Sequence, residues 1–270
     1  MPRRNTGPRL GHWLLTGFVL LIFAFLMLPL LVVFPISLSS ASYLQFPPPG
    51  FSWQWYERYF GDPDWIDATI RSFQIAGVCT ALSMALGVPL SFLLVRSRRR
   101  GIWILDRLAA APIIVPTIIL SIAIYSIFAQ LRLIGAWYGI AIAHTVLALP
   151  FVVILVSAGL RGFDESQEQA AIGLGASWPM AIWRVTLPQL RPSLISAGFL
   201  AFISSFDELV VAMFLAGAEK TLPKKMFDNI MMEIDPTIAA VSVTQILLVA
   251  VCLGLTTLFG KGALATTMSR

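Results

Sequence analysis

The 270 residues are 57% hydrophobic and only 12% charged, with a mean hydropathy of +0.81, a composition that excludes an ordinary soluble domain and indicates an integral membrane protein. The net charge of +5 does not point to nucleic acid, because the basic residues border apolar runs instead of interleaving with exposed aromatics. Cys79 and Cys252 both lie within apolar runs, where they read as small buried hydrophobes and suggest neither a disulfide framework nor a metal knuckle.

Apolar stretches long enough to cross a bilayer, about 20 residues each, fall near 12–39, 68–95, 108–131, 139–160, 192–216 and 237–260. The expected fold is an all-α integral membrane protein with six transmembrane helices, forming one transmembrane domain over 1–270. Arg3, Arg4 and Arg9 precede the first run as they would a signal peptide, but the run is too long for an h-region and is read as a retained helix. The next loop, 40–67, contains "FPPPG" and then "FSWQWYERYFGDPDW", whose aromatics read as anchors at the membrane surface, with a substrate gate or docking surface as the alternative.

Thirteen of the 19 basic residues share one side: Arg3, Arg4, Arg9, the run containing Arg96, Arg98, Arg99 and Arg100, then Arg107, Arg161, Arg184, Arg191, Lys261 and Arg270. Six fall on the other side, so both termini are expected in the cytoplasm. Within the spans, Pro112, Pro116 and Pro150 should bend or loosen their helices. His144 stands without a second ligand at metal spacing and reads as an interhelical hydrogen-bonding group.

Asp207 and Glu208 are consecutive carboxylates on the expected fifth helix, with Ser204 one turn below and Phe202 and Phe206 flanking them. Ionisable groups within a span are costly and face a protein interior or a water-filled cavity. Two readings stand: recognition of a cationic solute by carboxylate and aromatic faces, or a structural contact between helices, for instance with Arg71.

The inner loop 161–191 is too long for a simple turn and carries helix punctuation. Asp164 and Gln167 have the form of a capping box, Gly173 and Gly175 end the first short helix, Ser177 caps a second with Pro179 in its first turn, and Pro188 closes it. The small residues Ala170, Ala171, Gly173, Gly175 and Ala176 suit close approach of a partner protein better than a helix resting on lipid.

The segment "EQAAIGLGASWPMAIWRVTLP" resembles the cytoplasmic loop of importer-type ATP-binding-cassette (ABC) permeases, matching at Ala170, Ala171, Leu174, Gly175, Ala176, Ser177, Val185, Leu187 and Pro188. The family Glu falls on Gln169, with Glu168 just before it, which leaves open whether the acidic contact to the ATPase is kept, shifted to Glu168, or replaced by a neutral hydrogen bond from Gln169. "PIIVPTIIL", "AHTVLALPFVVILVSAGLRGFD", "SFDELVVAMFLAG" and "LPKKMFDNIMMEIDPTIAAVS" are similar to spermidine/putrescine-type permeases.

The resemblance implies half of a translocation pathway for a small, cationic, nitrogen-containing solute such as a polyamine, in an inner membrane. Its partners would be a second, distinct permease, two ATPase subunits on the paired loops and an extracytoplasmic binding protein. The chain has no G-x-x-x-x-G-K-[ST] phosphate loop, so ATP and Mg are expected on the ATPase and no cofactor on this chain. The alternatives are the same class of permease for another solute (opine-like, an amino acid derivative, thiamine) and an ion-coupled secondary transporter, a class whose usual internal repeats this sequence does not show.

Overall fold

The computed structural model describes residues 9–97, 99–232 and 235–265, with side chains over 11–97, 99–232 and 235–254. Of the basic residues that set the expected orientation, Arg3, Arg4, Arg98 and Arg270 lie outside them. The described residues are helical apart from turns and one isolated bridge, Ser39 to Phe51. In chain order the helices are α1 (Arg9–Ser37), α2 (Gln54–Gly61), α3 (Pro63–Arg96), α4 (Ile102–Ile114), α5 (Thr117–Gln130), α6 (Trp137–Arg161), α7 (Glu165–Gly173) and α8 (Trp178–Ala181). A π-helical turn, Ile182–Thr186, follows, and then α9 (Leu187–Gln189), α10 (Arg191–Phe206), α11 (Val210–Leu215), α12 (Leu222–Met232) and α13 (Thr237–Ala265).

Among the described residues, four helices are long and apolar enough to cross a membrane, in α1, α3, α6 and α13, and a fifth crossing is available if α4 and α5 are one span bent by 108°. Two of the six expected spans are therefore not straight helices. The break in 108–131 follows from Pro116: Val115 before it is forced to an extended conformation (φ −76°, ψ 129°), because the proline ring clashes with a helical predecessor. Pro112 sits inside α4, whereas Pro150 is accommodated within an uninterrupted α6. The expected span 192–216 stops at Phe206 and resumes at Val210 for reasons that lie in the site itself.

The described residues form two compact units, one from within 1–62 and 229–247, the other from within 63–228 and 248–270. In the first, the loop after α1 is knitted to the helix end. Trp55 Nε1 donates to the Ser39 carbonyl at 2.7 Å, Tyr56 Oη and Ser37 Oγ lie 2.9 Å apart, and Arg58 pairs with Asp235 at 3.1 Å. Asp235 Oδ1 in turn accepts from the backbone N–H and hydroxyl of Thr237, which starts α13. The aromatics divide: Trp55 and Tyr59 are buried, whereas Phe51, Trp53 and Phe60 are largely exposed, an arrangement suited to the interfacial zone of a bilayer.

In the second unit α3 and α6 run parallel, Gly87 facing Val152 and Ser91 Oγ donating to the Val153 carbonyl, while α10 runs antiparallel to α6, with Ser193 near Gly159 and Ser205 near His144. One core cluster centres on Ile75, Ile140, Val211 and Leu215 and another on Cys79, Val152, Val156 and Ala201. Several hydroxyls on these helices return to their own backbone, as Thr145 does to the Ala141 carbonyl, whereas Ser157 Oγ is buried without a hydrogen-bond partner among the described residues. A Cβ on Gly87 would fall 2.6 Å from Val152 Cγ1. Gly87→Ala is therefore expected to lower the melting temperature of the detergent-purified protein, with an overpacking cost of about 1–3 kcal/mol, and Val152→Ala in the same chain should restore most of it.

Candidate functional site: a cavity at a broken helix and a two-helix loop

The loop begins where Asp164 accepts from the Ser166 N–H at 3.0 Å and caps α7. The reciprocal half of the expected capping box is not formed, because the Gln167 side chain accepts from Gln189 Nε2 at 2.7 Å instead of reaching back. α7 ends in a Schellman turn. The Gly175 N–H bonds the Ile172 carbonyl, the Ala176 N–H bonds the Ala171 carbonyl, and Gly175 has φ +96°. A side chain at 175 would be strained, which accounts for that glycine independently of any partner. Ser177 stands at the start of α8 without capping it through its side chain.

Pro188 does not close the second helix, contrary to the expectation. A proline in an α-helix clashes with the carbonyl four residues back, here Arg184, and the chain avoids this by widening into the π-helical turn, in which the Leu187 N–H reaches the Ile182 carbonyl. The helical path then carries Leu187 and Pro188, both half-buried, to Leu190. The outer face of the loop presents Gln169, Ala170, Ser177, Trp178 and Leu174, the last 91% exposed, while Ala171 and Ala176 are half-buried beneath them.

Glu168 is placed differently from its exposed neighbour Gln169. It is buried, accepting from Arg96 Nη1 at 2.6 Å and from the Thr186 hydroxyl at 2.7 Å. The Arg96 hydrogen bond holds its carboxyl below the usual range against the opposing effect of burial, with the Thr186 bond adding to the depression. Of the two acidic-contact positions left open by the sequence, only Gln169 faces outward.

A cavity of about 490 Å³ opens beside the break between α10 and α11, with Pro112, Thr117, Leu147, Ser204, Asp207 and Glu208 in its wall. Asp207 caps the end of α10 and is exposed. Glu208 turns inward, its side chain 10% exposed, and accepts from the N–H groups of Val210, Val211 and Ala212 at 3.0, 2.8 and 3.4 Å. These N–H groups begin α11 and would otherwise be orphaned, so the carboxylate that the sequence places on a continuous helix caps the start of the second one.

His144 on α6 shares a 2.8 Å hydrogen bond with Ser205 through Nδ1 and places Nε2 3.5 Å from Glu208 Oε2. Its expected interhelical bond is thus present, with a second neighbour the sequence did not suggest. Phe202 and Phe206 do not line this cavity. They stack on each other at 5.7 Å and lean on Phe73 of α3, at 6.0 and 5.0 Å. Arg71, a candidate partner for the two carboxylates, instead pairs with Glu219 at 3.2 Å in a separate charged cavity of about 420 Å³ that also contains the Lys225 to Asp64 pair.

The family model described as "Binding-protein-dependent transport system inner membrane component" matches residues 77–265. The chain is 32% identical over 232 residues to the putrescine transport system permease protein PotI of Escherichia coli strain K12, covering 83% of this chain and 82% of that one. It is 28% identical over 238 residues to the spermidine/putrescine transport system permease protein PotC of Haemophilus influenzae, covering 87% and 92%. It is also 32% identical over 202 residues to the molybdenum transport system permease protein ModB of Mycobacterium bovis, covering 69% and 75%. Its fold is that of a chain in a bacterial ABC transporter that imports the acidic polysaccharide alginate, with a TM-score of 0.73, 20% identity and coverage of 95% and 99%.

Proposed function

Since the chain belongs to the binding-protein-dependent transport system inner membrane components, the permease subunits of ABC importers, we propose that it forms one half of an inner-membrane pathway for a small organic cation of the polyamine type. The observation that carries the solute class is Asp207, an exposed carboxylate in the wall of the 490 Å³ cavity at the α10 to α11 break. A carboxylate held at membrane depth is expensive and marks a pathway. It also sets this chain apart from a carrier of anions, which a carboxylate-lined cavity repels, and so favours the solutes named for PotI and PotC over that named for ModB.

In this reading the chain works as one transmembrane domain with six crossings, α4 with α5 making one bent span and α10 with α11 another, and with both termini in the cytoplasm. The loop 161–191 is the ATPase-docking element. Gln169, Ala170, Gly175, Ser177 and the surface around Leu174 form its face, with Ala171, Ala176, Leu187 and Pro188 behind them and Glu168 fixing the loop from within. Two ATPase subunits carry ATP and Mg, a second and distinct permease completes the path, and an extracytoplasmic binding protein delivers the solute. A solved relative in fold, the alginate transporter in complex with a pentasaccharide-bound periplasmic protein, supports that last partner as a class.

Orientation has a direct test. A cysteine at Ala218, beside the charged cavity, should react with an impermeant thiol reagent in spheroplasts, and one at Arg99 only after permeabilisation, in a background lacking Cys79 and Cys252. The reverse pattern contradicts the placement of both termini in the cytoplasm. The function itself is tested by uptake of radiolabelled putrescine and spermidine, with molybdate as the anionic competitor. Competition by molybdate, or uptake of neither amine, rejects the cation assignment.

A further inference from the structure

We propose that Arg96, Glu168 and Thr186 form a clamp through which movement of the loop 161–191 is passed to α3. The proposal rests on the docking reading above and adds the internal route by which docking is felt. Three parts of the chain meet at one carboxylate: the last residue of α3, the first turn of α7 and the end of the π-helical turn. Both Glu168 oxygens are engaged, one by Arg96 Nη1 at 2.6 Å and the other by Thr186 Oγ1 at 2.7 Å, with the Arg96 and Glu168 side chains 18% and 6% exposed. The guanidinium is steadied from below by the Phe92 ring, 5.2 Å from its carbon.

The clamp is not what optimal stability would select. Arg96 Nη2 is buried with no hydrogen-bond partner among the described residues, a penalty that an apolar replacement of the whole group would remove. Its two ends are also of different kinds. The loop side is an exposed surface that carries Gln169, Ala170, Leu174 and Trp178, whereas the α3 side is a single unbroken helix of 34 residues, about 50 Å long at 1.5 Å per residue.

At its far end that helix supplies Asp64, Asp67, Arg71 and Gln74 to the charged cavity. Between the two ends it packs along α6 and α10 and places Phe73 against Phe202 and Phe206, directly under the residues of the α10 break. A loop displaced as a body thus pulls on a rod that reaches both the break and the opposite end of the unit. Arg96 and Thr186 act through Glu168 and are positioning residues in this scheme; none of the three touches solute.

The test uses the transporter assembled with its second permease, ATPase and binding protein in proteoliposomes, with radiolabelled putrescine as probe, and reads putrescine imported per ATP hydrolysed. Arg96→Gln and Glu168→Gln should each lower that ratio by about fivefold or more, and the double variant should be no worse than either single one, because the two residues work through one contact. Thr186→Val, which removes one hydrogen bond and keeps the volume, should lower it less. Arg96→Lys, which keeps the charge but loses the planar fork, should fall between wild type and Arg96→Gln.

A residue that only supports the fold would reduce uptake and hydrolysis in proportion, by lowering the amount of complex, and leave the ratio alone. An unchanged ratio in assembled variants overturns the clamp, as does a double variant whose effects multiply. Should the glutamine variants not assemble, Thr186→Val and Arg96→Lys decide by the same criterion. Failure of the wild-type chain to retain its ATPase on purification would instead remove the docking reading, an outcome separate from retained ATPase with an unchanged ratio.

Discussion

Leu174→Asp is expected to strip the ATPase from the purified transporter, weakening retention by about 30-fold or more, the cost of losing one well-placed anchor in a protein interface. Leu174 is 91% exposed at the tip of the loop, where an apolar side chain gains nothing from the chain's own core. It follows α7 with φ −84°, an ordinary conformation, so the substitution adds a charge without disturbing the turn. Gly175 does not offer so clean an experiment, because φ +96° there makes any side chain a strain on the Schellman turn. Ala170→Glu, on the exposed face of α7, should act in the same direction. Ala218→Asp, far along the chain at the charged cavity, should leave ATPase retention at the wild-type level.

The second large effect separates two adjacent carboxylates. Asp207→Asn should raise the KM for putrescine uptake by about tenfold to a hundredfold, the range for a hydrogen bond to a charged group, in a complex that assembles and melts normally. Glu208→Gln should behave otherwise. Its carboxylate accepts from three backbone N–H groups of α11 and sits beside His144, so the neutral amide, with one acceptor oxygen, should cost about 1–3 kcal/mol of stability. That loss should appear as a lower melting temperature and a lower yield of complex, and it should affect putrescine and spermidine alike. Both measurements are made on the same preparations, uptake kinetics beside thermal unfolding in detergent. Equal behaviour of the two variants contradicts the division of roles.

That division illustrates how far the sequence could be read. The long uniform spans were legible because they are continuous apolar runs: 139–160 became Trp137–Arg161, and 68–95 became Pro63–Arg96, lengthened into its polar ends. The α4 to α5 bend was visible as Pro116, although its 108° angle was not. The break at Asp207 was missed because no Gly or Pro marks it, and the Glu208 carboxylate that caps the restarted helix resembles any other polar residue within a span. The signal present was an acidic residue just before a new apolar run, which is also how a helix start looks.

The direction of the aromatic face was illegible for a different reason. Phe202 and Phe206 share a helix face with each other, but only the position of Phe73 on α3 decides which way that face points. Glu168 was legible as part of the loop 161–191, but its engagement with Arg96, 72 residues earlier, depends on tertiary packing that no local pattern encodes. Pro188 was read as a stop because proline breaks an α-helix; a π-helical turn just ahead of it removes the clash and lets the helix pass.

The central claim is that this chain carries a small organic cation by a cycle driven from its cytoplasmic loop, and the initial rate of radiolabelled putrescine uptake into proteoliposomes holding the complete transporter tests it most directly. Uptake should require ATP on the ATPase side and the binding protein on the other, and should be indifferent to an imposed proton or sodium gradient. Uptake that follows an ion gradient in the absence of ATP would contradict it and return the chain to the class of secondary transporters.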